Sequence, residues 1–139
     1  EYEGPYLHIS SLDTYFANNM KLLDSQVRAE IFERKNQAIY TKVRDSAPTK
    51  YGKDAVVERC YIADGCVIEG TVRNSILFRG VKIGKNTVVE NSILMQDTIT
   101  GEHVKLNCVV ADKNVTIRDR RNLSGCETIP YYLGKNVMV

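Results

Sequence analysis

The apolar positions of this chain keep two different beats. Up to Lys53 they recur mostly at helical spacing; beyond it, β-branched residues return in short runs punctuated by Gly, Asn and Asp. Leu12, Tyr15, Phe16, Asn19 and Leu23 predict an amphipathic helix of about three turns. Ser10 and Asp13 stand at the spacing of a capping box at its start, where each side chain accepts an otherwise orphaned amide. Residues 24–34 predict a second short helix, with Val27 and Ile31 on one face. The run Ile39-Tyr40-Thr41-Lys42-Val43 predicts a strand, which Ala47-Pro48-Thr49 ends.

Beyond Lys53 the chain repeats itself. Cys60-Tyr61-Ile62, Ser75-Ile76-Leu77, Ser92-Ile93-Leu94 and Cys108-Val109-Val110 open similar blocks at intervals of 15, 17 and 16 residues. Within the blocks aliphatics recur every sixth residue: Ile62 to Ile68, Leu77 to Ile83, Ile83 to Val89. Four residues after an aliphatic comes a second inward slot, filled by Cys66, Val81 and Thr87. This is the hexapeptide pattern of a parallel β-helix, a three-sided coil whose short faces stack at strand spacing. Tight corners suit Gly65, Gly80, Gly84, Asn86 and Asn114. Residues 56–117 hold about three and a half coils at about 18 residues each. Thr98 and Thr100 fall where aliphatics are expected, and the register near Val110–Ala111 is open by one. The expected fold is therefore mainly β, with about three to four coils. Residues 1–53 form a helical linker and residues 54–139 the β-helix domain. Its open ends need caps, from the apolar face of the first helix or from a partner subunit.

Composition narrows the function. With 43% hydrophobic and 26% charged residues, the chain is globular rather than disordered. A net charge of +2 lacks the strongly basic footprint of a nucleic-acid binder. No apolar run approaches the ~20 residues of a membrane span, and no signal peptide opens the chain. Four cysteines without a C-x-x-C pair point to reduced thiols and a cytoplasmic location. Cys60, Ser75, Ser92 and Cys108 read as a ladder of small side chains and Cys66 as an inward filler; Cys126 has no assigned role. His103 could act as the base of a hexapeptide acyltransferase, but it reads better as a turn residue on the solenoid surface. A β-helix carbonic anhydrase needs three histidine ligands, and the chain has two histidines. The opening residue is Glu1, not Met, as expected for a piece of a longer polypeptide.

The stretch Gly4-Pro5-Tyr6-Leu7-His8-Ile9-Ser10-Ser11-Leu12-Asp13-Thr14-Tyr15-Phe16, running on to Met20, resembles the junction segment of bacterial glucose-1-phosphate adenylyltransferases (ADP-glucose pyrophosphorylases). Ile39-Tyr40-Thr41 and Ala47-Pro48-Thr49-Lys50 resemble two further family pieces, and the hexapeptide region resembles the family's C-terminal left-handed β-helix. The resemblance implies that the complete enzyme joins ATP and glucose 1-phosphate into ADP-glucose and pyrophosphate for glycogen synthesis. The family's catalytic domain lies upstream, with a Gly-rich loop that this sequence lacks, so the fragment is expected to be non-catalytic.

Within the resemblance, His8 stands where catalytic subunits carry a metal-side Asp, and Ser10-Ser11 replaces their Gly-Thr pair. Magnesium, the metal of the parent enzyme, prefers carboxylate oxygen to imidazole, and Leu7 at the neighbouring basic position cannot hold phosphate. The substrate and metal position is thus degenerate at His8 and Leu7, as in regulatory, GlgD-type subunits, and the fragment is expected to hold no cofactor. The implied partners are a catalytic subunit, further copies of the chain, or both, in a tetramer. Arg118, Arg120, Arg121 and Lys135 form the densest basic cluster: a solvated turn, or half of the anionic-effector site that the resemblance implies. A free-standing acyltransferase-like enzyme and a ligand-free structural scaffold are the competing readings.

Overall fold

The computed structural model describes residues 3–35 and 37–139. From Lys50 onward, short strands wind into three parallel five-stranded sheets. The first face stacks β1 (Lys50–Tyr51), β4 (Val67–Ile68), β7 (Lys82–Ile83), β10 (Ile99–Thr100) and β13 (Thr116–Ile117). The second stacks β2 (Val56–Glu58), β5 (Thr71–Arg73), β8 (Val88–Glu90), β11 (Lys105–Asn107) and β14 (Asn122–Ser124). The third stacks β3 (Tyr61–Ile62), β6 (Ile76–Leu77), β9 (Ile93–Leu94), β12 (Val109–Ala111) and β15 (Tyr131–Leu133). The chain visits the faces in rotation, so each coil gives one strand to each. The molecule is a parallel β-helix, mainly β as the repeat predicts.

The coils expected between residues 56 and 117 are present, and the stack continues at both ends. It starts at Lys50, where β1 pairs with β4, so the first sheet begins before residue 54. It ends beyond 117 because the last coil carries an insertion: Val110 pairs with Ile93 at an offset of 17 residues but with Tyr132 at 22. The insertion interrupts the beat that sequence inspection follows. The regular period is 17 residues, as Lys105 shows by pairing with both Val88 and Asn122, rather than 18. One corner is tighter: Thr71 comes four residues after Val67, whereas Val88 comes six after Lys82. That shortened turn produces the 15-residue interval.

Most strands point one aliphatic inward, and Ile68, Ile83, Val72, Val89, Leu77 and Leu94 are buried along the axis. Thr98 and Thr100 are buried too, without an unmet polar group. The Thr98 hydroxyl donates to the Asp112 carbonyl at 3.1 Å, and the Thr100 hydroxyl accepts from the Gly84 amide at 3.1 Å. Each hydroxyl binds the backbone of a neighbouring coil, which is why threonine replaces an aliphatic there.

The corners need left-handed backbone, and short polar side chains supply it as readily as glycine. Asn74, Asn91 and Cys108 form one such column, with φ of 46°, 47° and 52°. This corrects the expected ladder. Ile93 pairs with Val110, so Val109 follows Ser92 inward, and Cys108 turns out at the corner. The Val109 amide donates to the Ser92 hydroxyl at 3.2 Å, as the Ser92 amide does to Ser75 at 3.1 Å.

The helices lie against a side of the prism. The α1 helix (Leu12–Lys21) begins at Ser11, not Ser10; Thr14 accepts from the Ser11 amide at 3.0 Å, the role expected of Asp13. The Ser11 hydroxyl donates to Asp13 instead. Phe16 and Leu23 pack on Ile76, Ile93 and Val110, the outward residues of the third face, with Cys108 beside them. Burying Phe16 contributes about 1.5–3 kcal/mol. The helix therefore covers an aliphatic flank and leaves the coil ends uncapped by itself. The α2 helix (Ser25–Phe32) starts at Asp24, whose carboxylate accepts from the Gln26 amide at 2.8 Å. The predicted strand at 39–43 does not form: the segment runs without regular structure to Lys50.

Candidate functional site

The basic residues singled out by the sequence fall on two corners of the triangle. Arg118 leaves β13, and its guanidinium rests 3.2 Å from the Met138 sulfur. Arg120 takes the left-handed corner position, φ 60°, in one column with Asn86 and His103. Arg121 follows, and its carbonyl accepts from the Lys105 amide at 2.8 Å. All three arginines are exposed on one turn. Asp119 between them is exposed too, and its carboxylate accepts from the Glu102 amide of the neighbouring coil at 2.8 Å. Lys135 lies elsewhere: the Asn136 amide bonds to Lys113, and the Asn114 and Asn136 side chains join at 3.2 Å, which places Lys135 at the neighbouring corner. The structure thus unites Arg118, Arg120 and Arg121 and sets Lys135 apart. His103, exposed with φ 56°, is a corner residue of the solenoid, where its backbone conformation rather than its imidazole suits the fold.

At the other end of the chain, His8 is exposed and Leu7 half-buried. The Tyr6 hydroxyl lies 3.3 Å from His8 Nδ1, and the His8 carbonyl accepts from Asn18 at 2.6 Å. Asn18 is buried on α1 and also accepts from Lys21 at 3.1 Å, so it fixes the approach of the chain to the helix. The helical spacing includes Asn19 and does not mark Asn18, whose burial comes with its bond to the His8 carbonyl and not with the apolar stripe. One imidazole beside a leucine does not fit a magnesium ion. Among the described residues no group of three or more His, Cys, Asp or Glu could hold a metal.

The thiols divide by environment. Burial pushes Cys60, Cys66 and Cys108 above the usual thiol range, whereas the Thr128 hydroxyl holds exposed Cys126 below it. Tyr132 donates to the Asp112 carboxylate at 2.9 Å, which raises its phenol pKa.

A cleft of about 430 Å³ opens on the third face beneath the 37–49 segment. Tyr61, Ile76 and Phe78 line it from the solenoid, with Phe32 and Thr41 opposite and Arg79 and Gln96 at its polar side. The Arg28 guanidinium stacks 5.4 Å from the Tyr61 ring centre. No sequence signal marks this cleft, since its walls come from distant parts of the chain. Among the described residues, no helix is long and apolar enough to cross a membrane.

Three stacked parallel sheets, six-residue aliphatic spacing and left-handed Asn corners define a hexapeptide-repeat β-helix. Residues 43–125 match the GlmU-like C-terminal hexapeptide family, and the chain belongs to it. Over 138 residues, 99% of its length, it is 41% identical to the glycogen biosynthesis protein GlgD of Bacillus subtilis, of which it covers 40%. It is 57% identical over 72 residues, 52% of the chain, to GlgD of Geobacillus stearothermophilus, covering 21% of that protein. It is 28% identical over 117 residues, 84% of the chain, to a glucose-1-phosphate adenylyltransferase of Desulfitobacterium hafniense, covering 29% of it. The chain thus spans less than half the length of these relatives. Its likeness is to the C-terminal part of a GlgD-type protein.

Proposed function

We propose that this chain is the assembly and regulatory domain of a GlgD-type subunit that works with a catalytic glucose-1-phosphate adenylyltransferase. The carrying observation is that the 41% identity to a GlgD protein runs over nearly the whole chain, through α1 as well as the coils that α1 packs on. The parent assembly makes ADP-glucose and pyrophosphate from ATP and glucose 1-phosphate, with magnesium, in the cytoplasm. This domain adds subunit contacts, in a tetramer with catalytic subunits, and no chemistry of its own. His8 and Leu7 support that division of labour, since neither can replace a metal-binding carboxylate or a phosphate-binding cation. Arg118, Arg120 and Arg121 supply one wall for an anionic effector, their forks matching phosphate oxygens, with Lys135 adding charge from the next corner.

The test is to mix the chain with a catalytic subunit and follow co-elution and the enzyme's response to a phosphorylated effector. Association is expected, together with an effector response that Arg120→Ala and Arg121→Ala weaken severalfold. Failure to associate overturns the assembly role. Association with an effector response that the arginine variants leave unchanged removes the arginine corner from it.

A further inference from the structure

The 37–49 segment and the cleft beneath it are mismatched as they stand. Ile39, Tyr40 and Val43 are 57%, 92% and 85% exposed, while the apolar cleft lies open alongside. Among the described residues no hydrogen bond engages the backbone amides of residues 38–45, and the Arg79 guanidinium reaches only the Lys42 carbonyl, at 3.5 Å. Farther along, the segment is pinned. The Thr49 hydroxyl donates to the Ala63 carbonyl at 2.9 Å and accepts from the Cys66 amide at 3.3 Å. On the solenoid side, Gln96 lines the cleft and its Oε1 is buried without a hydrogen-bond partner.

We propose that residues 37–49 form a strap that closes over this cleft. Residues two apart in an extended chain share a face, so drawing 39–43 straight with Thr41 on the cleft turns Ile39 and Val43 toward it as well. Closure lays those two side chains against Tyr61, Ile76 and Phe78, leaves Tyr40 and Lys42 in water, and brings free backbone amides toward the Gln96 carbonyl. The strap turns about the Thr49 anchor. The segment keeps the alternation of a half-buried strand because, in the closed state, it covers an apolar floor. The strap is a device separate from the arginine corner, and its test needs no catalytic subunit.

The experiment uses the 139-residue chain. Methyl-to-ring nuclear Overhauser cross-peaks are expected from Val43 and Ile39 to Tyr61 and Phe78. Val43→Asp is expected to lower Tm by about 4 °C, while Tyr40→Ser, on the opposite side of the strap, leaves it unchanged. Absence of the cross-peaks in the unaltered chain overturns the proposal, whatever the variants do. Equal melting of Val43→Asp and Tyr40→Ser does so as well.

Discussion

The solenoid and the N-terminal segment are held by different means. Every inner coil is bonded above and below through its backbone: β8 pairs with β5 on one side and β11 on the other. Its aliphatics then stack on copies of themselves along the axis. The segment before Lys50 has no such lattice. It is fixed by Phe16 and Leu23 on the third face, by Asn18 to the His8 carbonyl, and by Arg28 over Tyr61. A repeating backbone ladder spreads the effect of any one side chain over several coils. A docked helix depends on a few side chains and can be released alone.

Substitutions should separate the two regions in order of effect. Leu94→Ala, at a site fully buried between coils, is expected to cost about 3–5 kcal/mol, and the whole solenoid should feel it. A urea melt followed by circular dichroism checks this: the main β transition moves to lower denaturant as one step. Phe16→Ala is expected to cost about 3 kcal/mol, but locally. The helical signal should go in an earlier phase, while the β transition scarcely shifts. A single joint shift of both signals would show that helix and solenoid fold as one unit and would break the comparison.

The smallest change concerns the corners. Asn91 donates to Asn107 at 3.0 Å and accepts from Asn74 at 2.6 Å, in a left-handed conformation that alanine resists. Asn91→Ala is expected to cost about 1–2 kcal/mol. Asn91→Gly, which relieves the backbone but loses the amide links, should cost less. Measured side by side, the two divide the corner's contribution into backbone conformation and side-chain bonding.

Much of the fold was legible because a β-helix writes its architecture as a period. The spacing from Leu77 through Ile83 to Val89 marks successive inward pegs, and each is buried. The period failed where the chain departed from it. The short corner before Thr71 and the inserted loop before Tyr131 shift the count, so the six-residue beat marks the coils only as far as Ile117. Cys108 stands one residue from the inward slot that its block predicts, for a related reason: cysteine suits both a small inward slot and a tight corner, and composition does not distinguish them. The candidate site was less legible. The three clustered arginines are neighbours in sequence and remain neighbours in space, whereas Lys135 is close in sequence but one corner away. The cleft under the strap draws its walls from Phe32, Tyr61, Phe78 and Gln96, residues with no common local pattern.

The amino-acid sequence by itself determined the winding, because each hexapeptide carries its own peg and corner and needs only identical neighbours above and below. It also determined where helices start, through local caps such as Asp24. Tertiary structure decided which flank α1 covers, which corner each charged residue occupies and where a cleft opens. Those outcomes depend on how many residues separate two corners and on which outward surface is aliphatic. Both are set only when the coils stack and distant side chains meet.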